Sequence, residues 1–161
     1  MYLHGELCRS IASGMTFSKD SSAGYLVNDL ARRFAAALQA RIKPIGLSTG
    51  VFPVMVQLWE DDGLTQTELV RRIGVEQATM ANTLKRMERD GLIIRQENPK
   101  DRRAQLIRLT EKARALQDDA TAAANAVNAI ALGGLSEDER RVFIRMMTRV
   151  IGALSGYDGN F

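Results

Sequence analysis

A chain of 161 residues with a 45% hydrophobic fraction has the length and apolar content of one globular domain with a real core, which excludes a low-complexity or disordered polypeptide. Its charge is uneven: residues 65–115 hold 12 Lys and Arg against 7 Asp and Glu, net +5, while the rest hold 10 against 12, net −2. One cysteine, Cys8, and one histidine, His4, exclude an internal disulfide and leave no His/Cys spacing fit for a metal.

In chain order, residues 1–22 are rich in Ser and Gly without clear period and read as an arm or tail. The start MYLHGELCRSIASG lacks the charged beginning and continuous apolar core of a signal peptide, and no apolar run is long enough to span a bilayer, so the expectation is a cytoplasmic protein with no membrane partner. Over 24–42, Leu26, Leu30, Phe34, Ala37, Leu38 and Ile42 form a stripe of helical period, ended by Pro44 and Gly46. Ser48 is placed to cap a second helix whose inward residues are Val51, Val54, Met55, Leu58 and Trp59, with Pro53 near its start. Asp61, Asp62 and Gly63 close it.

Thr65 and Glu68 have the spacing of a capping box, in which hydroxyl and carboxylate satisfy two orphan backbone N–H groups. The helix they open carries Leu69, Val70 and Ile73 on its apolar side and ends at Gly74, a residue free to turn left-handed. A further helix begins within three residues. Met80, Leu84 and Met87 recur on its inner side. Gln77, Ala78, Thr79, Asn82, Lys85 and Arg89 fall on or near the outer one, a mix of amide, hydroxyl, methyl and cationic groups suited to base edges and phosphates in a DNA major groove. An isolated helix of this kind is usually just amphipathic, with a solvated face; a basic hairpin next in the chain favours the functional reading. After Gly91, the β-prone runs at residues 92–95 and 105–109 are joined by a turn containing Pro99. Its tip crowds Lys100, Arg102 and Arg103 around Asp101, which is placed to hold one guanidinium by a bidentate pair. Such a tip suits the phosphates and negative potential of a minor groove. Helix, turn, helix and basic hairpin make a winged helix-turn-helix. The candidate DNA-contacting set is Thr65, Gln66, Gln77, Ala78, Thr79, Asn82, Lys85, Arg86, Lys100, Asp101, Arg102 and Arg103.

Thr110 is expected to begin a long, Ala-rich helix reaching Leu132, broken by Gly133 and Gly134. Ser136 and Glu139 form a second capping box, and Val142, Phe143, Met146, Met147, Val150, Ile151 and Leu154 give the last helix more apolar surface than a monomer's edge needs. The fold class is therefore mainly α with a small β-hairpin wing: a winged helix-turn-helix core (48–110) flanked by N- and C-terminal dimerisation helices (23–47 and 111–161).

Several of these elements together resemble the MarR family of transcriptional regulators, over residues 24–154. They are the wing signature Asp101-Arg102-Arg103-Ala104 followed by Ile107-x-Leu109-Thr110, the segment Leu84-x-x-Met87-Glu88-x-x-Gly91-Leu92-Ile93-x-Arg95, and Leu135-Ser136-Glu137-Asp138-Glu139. The resemblance implies a homodimer of triangular outline on double-stranded DNA with a pseudo-palindromic operator. It implies repression of nearby genes, relieved by a small phenolic or lipophilic effector or by cysteine oxidation. In thiol-sensing relatives the reactive cysteine lies in the first long helix beside a partner tyrosine, whereas the matching stretch Tyr25-Leu26-Val27-Asn28 has none and Cys8 lies well before it. A small aromatic or lipophilic effector is thus expected, seated where the first, second and fifth helices meet the winged domain. Phe34, Phe52, Met55 and Trp59 are its candidate lining and Arg33 or Arg41 its anion partner, although each is the kind of residue that more often serves core or surface.

An enzyme lacks its parts: there is no Gly-rich phosphate loop, and the clusters at residues 60–62, 118–119 and 137–139 fit helix ends better than paired catalytic carboxylates. No cofactor is expected. Two alternatives stay open beside a ligand-responsive repressor: a winged-helix module that binds protein instead of DNA, and a regulator sensing oxidants through Cys8. Arg102 and Arg103 weigh against the first, since a protein-binding wing has no standing need of two guanidinium groups beside a lysine.

Overall fold

The computed structural model describes residues 18–99, 101 and 103–155. The arm before residue 18, with His4 and Cys8, and the wing residues Lys100 and Arg102 lie outside the described residues. The chain divides into two compact units, Met1–Ala36 and Ala37–Phe161.

In the first unit lies most of helix α1 (Ala23–Ile42). Asp29 pairs on its surface with Arg32 and, at 2.7 Å, with Arg33 one turn on. The Arg33 guanidinium, then that of Arg32, holds the Asp29 carboxyl below its usual range. Tyr25, Leu26 and Val27 are about half exposed.

The second unit begins with the end of α1, where Ile42 is fully buried, and a single 3-10 turn (Lys43–Ile45) closed by left-handed Gly46. Helices α2 (Phe52–Glu60), α3 (Gln66–Ile73) and α4 (Gln77–Arg89) come next. Ser48 does not cap α2. That helix starts at Phe52, and it is the Ser48 backbone carbonyl that accepts from Val51 and Phe52 N–H, both at 3.1 Å. Pro53, with no N–H to lose, takes its place in the first turn.

A three-stranded antiparallel sheet has the order β1-β3-β2, with β1 Leu64–Thr65, β2 Ile93–Glu97 and β3 Gln105–Leu109. β2 and β3 form the expected hairpin, Ile93 opposite Leu109 and Glu97 opposite Gln105. β1, which pairs Leu64 with Ile107, was not expected, since two residues carry no readable alternation. The core packs Val54, Met55 and Leu58 of α2 with Leu69, Met80, Leu84, Met87, Ile93 and Ile107.

The helix expected over 110–132 is two: α5 (Glu111–Ala115) and α6 (Gln117–Ala131). Leu116 separates them at φ −80°, ψ −9° while packing against the core, and neither Gly nor Pro marks the break. Helix α7 (Glu137–Ser155) opens on the second capping box, Ser136 N–H donating to Glu139 Oε2 at 2.7 Å and Glu139 N–H to Ser136 Oγ at 3.4 Å. Val142, Met146, Val150, Ile151 and Leu154 of α7 are 42–65% exposed, a large apolar surface left uncovered among the described residues.

The first capping box is complete: Glu68 N–H donates to Thr65 Oγ1 at 3.3 Å, and Thr65 N–H and hydroxyl both donate to Glu68 Oε2 at 2.7 Å. Thr65→Ala should therefore cost about 1 kcal/mol in urea unfolding at neutral pH. The backbone N–H of Thr65, then its hydroxyl, holds the Glu68 carboxyl below the usual range. Its contribution is accordingly full above the ordinary glutamate pKa and lost as pH falls through the lower folded value. Glu68→Gln, which has no proton to take up there, should flatten that part of the stability profile.

Candidate nucleic-acid interface

Gly74, at φ 73°, turns the chain between α3 and α4 and donates its N–H to Val70 O at 2.8 Å. A left-handed residue at that point ends one helix and swings the next across it. The inner side of α4 is as expected, with Met80, Leu84 and Met87 at most 1% exposed. Thr83 is buried with them at 9%, a residue the pattern of apolar side chains had passed over.

With that side fixed, Gln77, Ala78, Thr79, Asn82, Lys85, Arg86 and Arg89 are all exposed. They form one polar and cationic face pointing away from the core. Gln66 Nε2 donates to Gln77 Oε1 at 3.0 Å, joining the first turns of α3 and α4. Glu76 stands at the N-cap of α4 without a side-chain capping bond. The first N–H groups of α4 thus have no side-chain cap, the condition that favours an anion at a helix start. The side chains of Asn82 and Lys85 have no hydrogen-bond or ion-pair partner among the described residues.

Other candidates are already engaged. The Thr65 hydroxyl is committed to its capping box. Arg89 pairs with Asp90 at 2.9 Å, and that bond lowers the Asp90 pKa and raises that of Arg89. Arg86 lies over the loop before α2: a Cβ built on Gly50 would come 3.3 Å from Arg86 Nη2. Gln39, absent from the candidate set, fixes that loop by accepting from Thr49 N–H at 2.9 Å and donating to Leu47 O at 3.3 Å.

At the wing, Arg95 of β2 binds Glu88 of α4 at 3.1 Å, which ties the hairpin to the end of that helix. Arg108 Nε donates across to Gln96 Oε1 at 2.6 Å. The Asp101 carboxylate accepts from the backbone N–H of Arg103 at 2.9 Å, and among the described residues no ion pair joins it to a guanidinium. That bond shapes the turn, as an Asx-type bond does; the expected guanidinium clamp also concerns Arg102, which lies outside the described residues. The Arg103 side chain has no partner among the described residues. A groove of about 740 Å³ separates the wing from α3, with Thr67 and Arg71 on one side and Pro99 and Asp101 on the other.

Of the proposed effector lining one residue is part of the buried core, and Phe52 and Trp59 pack against it partly buried. Met55 is fully buried. Phe52 and Trp59 stand edge to face, centroids 6.2 Å apart, and Trp59 Nε1 donates to Ala113 O at 3.0 Å. Phe34 falls in the first unit, and there Arg33 is paired with Asp29. Among the described residues no group of three His, Cys, Asp or Glu could hold a metal, and no helix is long and apolar enough to cross a membrane.

Comparison with known proteins adds matches of sequence and of structure. The sequence model of the MarR family matches residues 47–104, from the loop before α2 to the end of the wing turn. A probable transcriptional regulator from Pseudomonas aeruginosa is 28% identical, with TM-score 0.77 over 83% of this chain and 99% of that one. Bordetella bronchiseptica BpsR, described as regulated in its DNA binding by 6-hydroxynicotinic acid, is 25% identical, with TM-score 0.71 over 79% of this chain and 96% of its own. A putative MarR-family regulator from Listeria monocytogenes, solved with a 26mer DNA, is 23% identical and shares the fold, with TM-score 0.76 over 88% of this chain and 99% of that one.

Proposed function

Since this chain is a MarR-family winged helix-turn-helix transcriptional regulator and not an enzyme, we propose that it works as a homodimeric, ligand-responsive repressor on a pseudo-palindromic operator. The observation that carries this reading is the outer face of α4. Seven exposed polar, small or cationic side chains stand on a helix whose opposite side is locked into the core, beside a wing whose tip concentrates Lys100, Arg102 and Arg103. In this reading residues 79–86 enter the major groove and the wing meets the minor groove. Asn82 reads a base, and Lys85 and Arg86 meet phosphate. The protein acts in the cytoplasm, where its DNA is.

Dimerisation through the terminal helices supplies the second reading head. The exposed apolar side chains of α7 support it, being a surface of the kind proteins cover with a partner. Half-sites should then be centred about one helical turn apart, roughly 34–36 Å. The double variant Val150→Glu/Leu154→Glu should sediment as a monomer and lose tight operator binding. A wild type that sediments as a monomer at micromolar concentration, yet binds DNA tightly, would overturn the dimer.

The proposed signal is a small aromatic or lipophilic molecule, the class to which the BpsR ligand belongs. Phe52 and Trp59 offer it an aromatic surface in the second unit. Such a ligand releases DNA only as far as it prefers the state in which the two recognition helices are wrongly spaced. An electrophoretic shift against the DNA upstream of the protein's own reading frame tests the whole proposal. Retention of that fragment in the presence of excess unrelated DNA is expected, and its absence on every upstream and randomised fragment would refute the reading.

A further inference from the structure

We propose that Asp62 is a positioning residue for DNA binding: its carboxylate completes the outer edge of β3 and clamps it to the following helix, so setting the pose of the basic hairpin. β1 is only two residues long and pairs with β3 no further than Leu64 opposite Ile107. Just before it, Gly63 N–H donates to Ile107 O at 3.1 Å. The next donor on that edge, Leu109 N–H, has no strand carbonyl opposite and is taken at 2.9 Å by Asp62 Oδ1. The side chain thus stands in for strand backbone. The other oxygen, Oδ2, accepts from both terminal nitrogens of Arg114 on α5, at 3.2 and 3.3 Å, and lies 3.5 Å from Arg108 Nη1.

Arg108 carries the connection across the sheet. Its Nε binds Gln96 on β2, and its guanidinium lies flat over Gly63, where an added Cβ would meet Cζ at 3.0 Å. One carboxylate in the turn after α2 is therefore linked to β3, to β2 through Arg108, and to α5. Asp62 is only 24% exposed, so these charge-assisted bonds are less weakened by water than an open surface pair.

The geometry makes such a clamp matter for DNA more than for folding. Five residues of strand form a lever roughly 16 Å long at about 3.3 Å per residue. A tilt of about 10° at its base then moves its end by roughly 3 Å, half the ~6 Å width of a minor groove. The core beneath, Leu64, Ile107 and Leu109 at most 4% exposed, does not depend on the carboxylate for its burial.

The proposal rests on the DNA-binding reading above, and the test separates the two. Full-length wild type, Asp62→Ala, Asp62→Asn and Arg114→Gln are compared on a fragment that the wild type retains. Protection of guanine N7 from dimethyl sulfate reports the major groove, hydroxyl-radical protection the minor groove, and thermal unfolding the fold. Asp62→Ala should bind about tenfold more weakly, the scale of one charge-assisted hydrogen bond, and lose the flanking minor-groove protection while keeping the central major-groove protection. Asp62→Asn still accepts from Leu109 N–H but cannot pair with Arg114, and should fall between. If Asp62→Ala fails to fold, Arg114→Gln, which leaves the Leu109 bond in place, carries the test through its minor-groove protection. Unchanged affinity and flanking protection in the folded variants would overturn the clamp alone, as would loss of both protections in step with the unfolded fraction. Absence of any protection in the wild type would overturn the DNA-binding reading, and the clamp with it.

Discussion

Replacing Arg102 and Arg103 together by Ala is expected to abolish operator-specific binding while leaving the proposed dimer intact. The turn between β2 and β3 brings three cations into four positions, and Asp101 spends its carboxylate on the Arg103 backbone N–H. The acid therefore shapes the turn without neutralising a neighbouring guanidinium among the described residues. Like charges crowded into one turn repel one another, and the narrow minor groove with its flanking phosphates offers an anion to receive them. At roughly 1–3 kcal/mol for each arginine contact, the double variant should lose about 2–6 kcal/mol at the operator. Its salt dependence should flatten by up to about two phosphate equivalents. Sedimentation should still show the dimer, because the wing lies outside the apolar surface of α7. Unchanged affinity in a filter-binding titration would show that the wing does not engage DNA.

Asn82 and Lys85 should part company. Both stand exposed on α4, and their angle is set by Thr83, Leu84 and Met87, which are buried beneath them. An asparagine on that face can bind an adenine through two hydrogen bonds, whereas a lysine meets phosphate as a point charge. Asn82→Ala should cost about 1–3 kcal/mol on the operator and relax preference at one base pair. Lys85→Ala should weaken operator and random DNA alike and reduce the salt slope by about one. Equal loss on both DNAs for Asn82→Ala would mean that a different part of α4 faces the bases.

The reading head was legible wherever the chemistry is local. The Thr65 and Ser136 capping boxes, the Gly74 turn, the buried stripe of α4 and the strands of the wing each arise from residues within a few positions of one another, and each is found where its pattern places it. What escaped depends on distant partners. Two residues of β1 carry no periodicity and become a strand only because β3, some forty positions on, offers an edge. Leu116 interrupts the helix after Thr110 with no Gly or Pro to announce it, while it packs against the core. Ser48 has the side chain of an N-cap, yet Pro53 sets the start of α2 nearer to itself. Asp62 reads as part of an acidic helix end, since its bonds to Leu109 and Arg114 lie 47 and 52 positions away. Phe52, Met55 and Trp59 show the reverse limit: an apolar stripe has the same spacing whether it lines a pocket or fills a core, and here Met55 fills the core.

The central claim is that the outer face of α4 and the wing together form a sequence-reading surface for duplex DNA. Fluorescence anisotropy titration of the wild type, on a selected operator and on random duplex over a range of salt, tests it most directly. The operator should bind on the order of a thousandfold or more tighter than random DNA. Both affinities should fall steeply as salt rises. Equal affinity for the two DNAs, or binding indifferent to salt, would contradict the claim.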